Sequence, residues 1–532
     1  MKLKHILPCA AVMLSMGFTS CIGDLDVTPI DPSTVMEVDP VGLFNKCYAN
    51  MALAGQGGAN GDCDIDGLDG GTTGFVRQLF NANELTTDEA ICCWGDEGIP
   101  AFNYNQYDAS HPMTRGFYYR LCAGITYCNH YLDPDVAGNY DKTMTAEVRF
   151  LRALYYYHLM DCFGNVPFLT ELSADNAPQA SRKDVYNFIE SELLAVREDM
   201  LEPAARKSGD ETYGRADRNA ADLLLARLYL NAEVYTGQAQ WENAKKYAKL
   251  VMDGPHKLNT QGMNGYSAYQ MLFMGDNGET SAATEAVLPL LQDGTTTTSW
   301  GTTLFLLAST TKADMGVFGT SEYWAGNRCR PEFVEKFLGE GNAAAAEGLN
   351  TKEILAAAGD DRALLFGVDR TASVETPGEF TSGISCAKYS NNYAGGGTPH
   401  NSKYVDTDFF LMRSAEAYLT FAEADARMNG GQTSAEGTKA VDAIRQRANT
   451  NTLSTYSLSF ILDELSREFF YEGHRRTDLI RFGQFGGETA TYKWQWKGGA
   501  KNGVRFDSHL NVFAIPSDDL ESNPNLTQNA GY

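Results

Sequence analysis

Two stretches of apolar residues at helical spacing, 218–233 and 241–252, separated by Thr236-Gly237, constrain this chain more than any other feature. A pair of short amphipathic helices joined by a tight turn cannot bury both apolar faces alone, so it has to stack on further pairs. The close-contact positions carry alanine: Ala220, Ala226 and Ala232 in the first helix, Ala244 and Ala248 in the second. Similar pairing returns at 408–428 with 435–448 and again at 457–472, with no strict period. The sequence therefore predicts a mostly α fold, a degenerate tetratricopeptide-like scaffold of helical pairs. More helices are predicted near 41–54, 75–83, 110–132, 145–163 and 184–200. In 145–163, Val148, Leu151, Tyr155, Leu159 and Cys162 recur every three or four residues, which marks a buried stripe, and Gly164 and Pro167 stop it. Tyr155, Tyr156 and Tyr157 cover most of a helix circumference and read as packing. Trp241, opening a helix of the first pair, reads as core.

Residues 254–404 differ in composition, with Gly, Thr, Ser and Asn in runs such as TTTTSWGTT and NNYAGGGTPH. They are predicted to form a loop-rich insert with short strands, longer than packing requires, and such loops carry function. The division expected is an N-terminal helical part over 41–253, the insert over 254–404, and a C-terminal helical pair and tail over 405–532, integrated as one domain over 41–532. The 532 residues include 43 basic and 68 acidic ones, a net charge of −25, which argues against nucleic acid as a partner. The 11 cysteines form no CxxC pair and no Cys/His metal spacing, so most read as buried free thiols.

The N-terminus is a processing segment. Lys2, Lys4 and His5 precede an apolar run, Ile6–Phe18, that spans about 20 Å as a helix, too short for a hydrocarbon core of about 30 Å. Residues 1–20 therefore read as a signal peptide. Thr19 and Ser20 lead into Cys21, which resembles the lipobox of bacterial lipoproteins, with Phe18 where an aliphatic is usual. Lipidation at Cys21 would anchor the chain to a membrane through an acidic, proline-bearing tether over 21–40. Asp62, Asp64 and Asp66, followed by Gly67, begin like an EF-hand loop, but Thr73 stands where the bidentate Glu belongs. A calcium ion is thus only weakly suggested, and no other cofactor is expected.

Four further segments share one resemblance. VRFLRALYYYHLMDCFGNVPFLTE (148–171), LDELSREFFYEGHRRTDLIRFG (462–483), VFAIPSDDLESNPNLTQNAGY (512–532) and NELTTDEAICCW (83–94) resemble, in order, motifs of the SusD/RagB outer-membrane lipoproteins. The resemblance implies a lipid-anchored protein of the outer membrane, exposed at the cell surface. It would capture oligosaccharide without catalysis and deliver it to a TonB-dependent transporter of the SusC type. The helical repeats would face the transporter, and loops on the other side would build the sugar site. It also implies that one aromatic of that site comes from the early helix-loop segment and others from the insert, with an arginine one helix upstream.

Sugar rings stack on aromatic faces, and loops able to form a shallow platform suit that task. The candidates are Trp94, Trp300 and Trp324, with Arg77 in the arginine's place and Tyr323 and Asp96 as weaker members. Glu464, Arg467, Glu468, Glu472, Arg475, Arg476, Asp478 and Arg481 alternate in sign, and are expected to form i,i+4 ion pairs on a helix ending at Gly473. No catalytic motif occurs. Two alternatives remain open on sequence alone: a lipid-anchored glycoside hydrolase using an unrecognised carboxylate pair, and a repeat scaffold that binds only protein.

Overall fold

Helix starts in this chain are set by short polar side chains that accept hydrogen bonds from otherwise orphaned backbone N–H groups. Asp141 caps Lys142–Phe163, Ser181 caps Arg182–Val196, Asp217 caps Arg218–Leu230, and Asn350 with Glu353 forms a capping box on Thr351–Ala358. The structure, a computed structural model, describes residues 39–61, 63–65, 67–134 and 141–532. The signal segment, Cys21, nearly all of the tether, Asp62 and Asp66 lie outside the described residues.

Pro40–Tyr532 is one compact unit. Its scaffold is a run of packed helix pairs. Pro112–Leu132 lies on Lys142–Phe163, which in turn lies on Arg182–Val196. Arg218–Leu230 packs on Trp241–Asp253, Trp241–Asp253 on Ser414–Met428, and Ser414–Met428 on Ala435–Arg447. The five predicted contact alanines are fully buried, which is what lets these backbones approach. Tyr155, Tyr156 and Tyr157 are no more than 3% exposed. Two of their hydroxyls are satisfied on main-chain carbonyls, Tyr155 at Cys47 and Tyr156 at Leu169. Among the described residues no helix is long and apolar enough to cross a membrane.

Three expectations are corrected by the structure. The segment read as one helix from 408 starts as a strand: Phe409–Arg413 pairs antiparallel with Ala286–Leu290, and the helix begins at Ser414. Both strands are buried throughout, and a short continuous apolar run does not distinguish buried strand from buried helix. Trp241 is only half-buried, with the Arg427 guanidinium 5.7 Å from its ring centre; the core tryptophan is Trp494, 1% exposed and stacked on Phe485.

The charged run of 464–481 is the third. Its helix ends at Phe469, and its carboxylates pair mostly with distant, buried partners. Glu468 meets Arg413 at 2.6 Å and Arg362 at 3.2 Å, and also pairs with Arg447. Glu472 meets Lys388 and Arg413, each at 2.7 Å, and Arg475 meets Asp88 at 2.7 Å. Burial would raise the Glu464 carboxyl, but Arg362, Arg467 and Arg445 outweigh it and hold it at about 2. These are buried links that tie the C-terminal helices to the insert through Arg362 and Lys388, to the early segment through Asp88 and to one another through Arg413 and Arg447, not surface pairs along one helix.

The insert carries short helices at Thr303–Ala308, Pro331–Leu338 and Thr351–Ala358. It also supplies three strands of an antiparallel sheet ordered Ala90–Cys92, Asn327–Cys329, Ile384–Cys386, Leu365–Phe366. That sheet joins the early loop to the insert, and so positions the candidate site.

Candidate functional site

The register of the first two strands decides where two of the tryptophans go. Cys92 pairs with Asn327, and one step further the Cys93 N–H donates to the Gly326 carbonyl at 3.0 Å. Trp94 therefore emerges beside Gly326, two residues past Trp324. A Cβ on Gly326 would lie 2.3 Å from the Trp94 indole, so only glycine lets the ring lie flat on this backbone. The Trp324, Ala325 and Gly326 amides donate in turn to the carbonyls of Ala308, Thr311 and Ser309, which hangs this loop on the Thr303–Ala308 helix.

Trp300 enters from the other end of that helix. The main chains of Gly74 and Gly301 cross so closely that a Cβ on either would lie 2.7 Å from the other's Cα, and the Arg77 N–H donates to the Gly301 carbonyl at 3.0 Å. The crossing sets Arg77 between two rings, 5.7 Å from Trp94 and 5.0 Å from Phe305. The Trp300 indole N–H is fixed on the Ala59 carbonyl at 2.9 Å, and that of Trp324 on Glu322 at 2.8 Å.

The result is a row of aromatics. Trp300 and Trp324 lie 6.0 Å apart with their planes at 52°, and Tyr404, 8% exposed, backs Trp300 at 5.3 Å and 54°. All three tryptophans are half-buried: packed from behind, open in part to solvent. Lys403 places its ammonium 4.4 Å from the Trp300 ring centre, and Nζ makes no hydrogen bond or ion pair with a described residue. Tyr404 and Lys403 were missed by sequence reasoning, because no spacing rule connects them to Trp300. The NNYAGGGTPH run just before them was the one available signal.

Arg77 is the most informative member. It is 8% exposed and, among the described residues, has no carboxylate partner, donates once, at 3.2 Å, to the Gly71 carbonyl, and leaves Nε–H without an acceptor. Burial pulls its pKa below the ordinary arginine value, with Cys92, Asp96 and Asp69 only partly compensating. A buried cation so poorly compensated costs stability, which favours a role outside packing. Asp96 is exposed, and among the described residues its carboxylate makes no hydrogen bond. Tyr323 is not part of the row: its hydroxyl lies 3.4 Å from the Gly316 carbonyl and the Phe318 amide, closing its own loop.

The calcium reading loses support at its one described aspartate. Asp64 is engaged by Lys46 and Arg120, each at 2.8 Å. Burial raises its carboxyl, and these two cations more than reverse that. The described cysteines are free thiols.

The model of the SusD family matches residues 334–532. The starch-binding protein SusD of Bacteroides thetaiotaomicron is 39% identical over the whole of both chains. SusD-like protein P2 of Formosa agariphila is 24% identical, covering 74% of each. Among solved structures, a SusD superfamily protein from Parabacteroides distasonis covers 93% of this chain and 98% of its own, with a TM-score of 0.66 at 20% identity. A laminarin binding SusD-like protein covers 93% and 99%, with a TM-score of 0.63 at 22% identity. At those identities the structures speak for the fold alone.

Proposed function

The chain belongs to the SusD family, and from that premise we propose that it is a non-catalytic glycan-binding protein that captures a starch-type α-glucan on Trp94, Trp300 and Trp324. The observation that carries the reading is the pairing of half-buried Trp300 and Trp324 beside Trp94. Both indoles are packed from behind and open in part to solvent, and their centres lie 6.0 Å apart, which offers neighbouring stacking faces to a sugar chain. A full-length relative named for starch binding supports the same ligand class. Lys403 at the rim and Asp96 beside Arg77 supply polar groups for sugar hydroxyls, and stacking supplies the rest of the affinity.

Native gels containing amylopectin or laminarin test this directly. The protein is expected to be retarded by amylopectin and to release no reducing ends from it. Equal migration in both gels and in a plain gel refutes the ligand, and steady release of reducing ends refutes the non-catalytic role.

The remaining parts of the reading rest on the family. Cys21 anchors the chain by lipid at the cell surface, and the helical scaffold docks on a TonB-dependent transporter that receives the glycan. Cys21→Ala is expected to move the protein from the detergent phase to the aqueous phase. Pull-down from native membranes is expected to recover a large outer-membrane barrel; recovery of none opposes the delivery role.

A further inference from the structure

Away from the aromatic row, and sharing no residue with it, lies a cleft of about 730 Å³. That is inside the range of small-molecule sites, about 300–1,000 Å³. One wall is the segment 257–268, the other the helix carrying Tyr418 and the end of Ala435–Arg447. We propose that this cleft is a second carbohydrate site, one that holds a short neutral stretch of the same glycan. The inference rests on the glycan-binding reading for its ligand class and on its own geometry for its place.

Both walls present tyrosines whose hydroxyls are unspent. Tyr266 and Tyr418 are half-buried, and neither hydroxyl makes a hydrogen bond with a described residue. Tyr266 is held stiffly. It closes a two-residue hairpin in which Met263 and Tyr266 exchange backbone hydrogen bonds of 3.1 and 2.9 Å. Asn264 and Gly265 at its tip take φ of 51° and 88°, the left-handed pair that such a turn demands. The Asn264 side chain ties that tip to the Ala394 carbonyl at 2.8 Å. Across the cleft Asn449 also has a positive φ, 53°, fixed by its side chain on Asp361 at 2.6 Å.

The floor points the same way. Arg447 is 4% exposed and paired with Glu285 and Glu468, yet its Nε–H has no acceptor among the described residues. Gln446 and Thr260 at the rim add side-chain donors and acceptors that no described residue uses. Rigid aromatic rings, free hydroxyls, a side-chain amide and no unpaired carboxylate match a neutral sugar. A second contact on one long chain also raises avidity for polymer over short oligosaccharide.

Hydrogen exchange with and without maltoheptaose reads the two sites separately, in the full chain and in Trp94→Ala/Trp300→Ala/Trp324→Ala. Protection over 257–268 and 443–449 is expected in both proteins, and protection around 298–326 only in the first. Tyr266→Ala/Tyr418→Ala should lower affinity at the cleft about tenfold and leave protection at the row intact. Tyr266→Phe/Tyr418→Phe, which keeps the rings and the fold, should lower it by a smaller factor. Protection confined to the row overturns the inference and leaves the main reading standing. Protection confined to the cleft does the reverse. Cleft protection that persists undiminished in both tyrosine variants overturns the inference too.

Discussion

Trp324→Ala separates ligand stacking from packing. The indole is half-buried, its N–H is bonded within its own loop to Glu322, and its one ring neighbour among the described residues is Trp300 at 6.0 Å. Truncating a fully buried tryptophan costs about 3–5 kcal/mol, so a half-buried one should cost about 2 kcal/mol. In a chain of this length that is a shift of only a few degrees in Tm. An aromatic stack contributes about 0.5–1.5 kcal/mol beyond burial, so removing a central one should weaken glycan binding about three- to tenfold. Trp494→Ala is the contrasting case, because Trp494 is 1% exposed, stacked on Phe485 and capped by Lys497 at 4.1 Å. It should lower stability by about 3–5 kcal/mol and leave affinity unchanged in the folded fraction. Calorimetric titration with maltoheptaose and thermal melts measure both quantities on the same samples. If Trp324→Ala destabilises as much as Trp494→Ala and binds within twofold of the parent, the ring is a packing residue and the platform is misplaced.

Arg77→Met removes a buried cation with one main-chain hydrogen bond, so the protein should be as stable or more so while glycan affinity falls several-fold; a clear loss of stability with affinity intact contradicts that role. Glu468→Gln leaves Arg413, Arg362 and Arg447 facing a neutral group inside the protein, and denaturant unfolding should show a loss of about 3–5 kcal/mol. Burial lifts the Asp408 carboxyl to about 7. The folded chain then keeps a proton that the unfolded chain has lost above about 3.9, so this group makes stability fall as pH rises from about 4 to 7. Asp408→Asn should flatten that part of the stability profile, measured by denaturation midpoints across pH, and an unchanged slope would show that Asp408 is ionised in the fold.

The helices were legible because their caps and apolar spacing are local. Asp141, Ser181 and Asp217 sit where helices 142, 182 and 218 begin, and the alanines of the repeat pairs mark the crossings. What was not legible is long-range. The partners of Glu468 come from residues 362, 413 and 447, and pattern reading sees only neighbours on one helix. Trp94 and Trp324 were each chosen as loop aromatics, yet their closeness depends on the pairing of Cys92 with Asn327 and on Gly326, which no local rule predicts. Tyr404 and Lys403 had no local signal of their own and join Trp300 only through folding.

A crystal structure of the protein with maltoheptaose tests the central claim most directly. The account predicts sugar rings stacked on Trp94, Trp324 and Trp300, with hydroxyls within hydrogen-bond reach of Lys403 or Arg77. An oligosaccharide well ordered elsewhere on the molecule, with the tryptophan row still open to solvent, would contradict it.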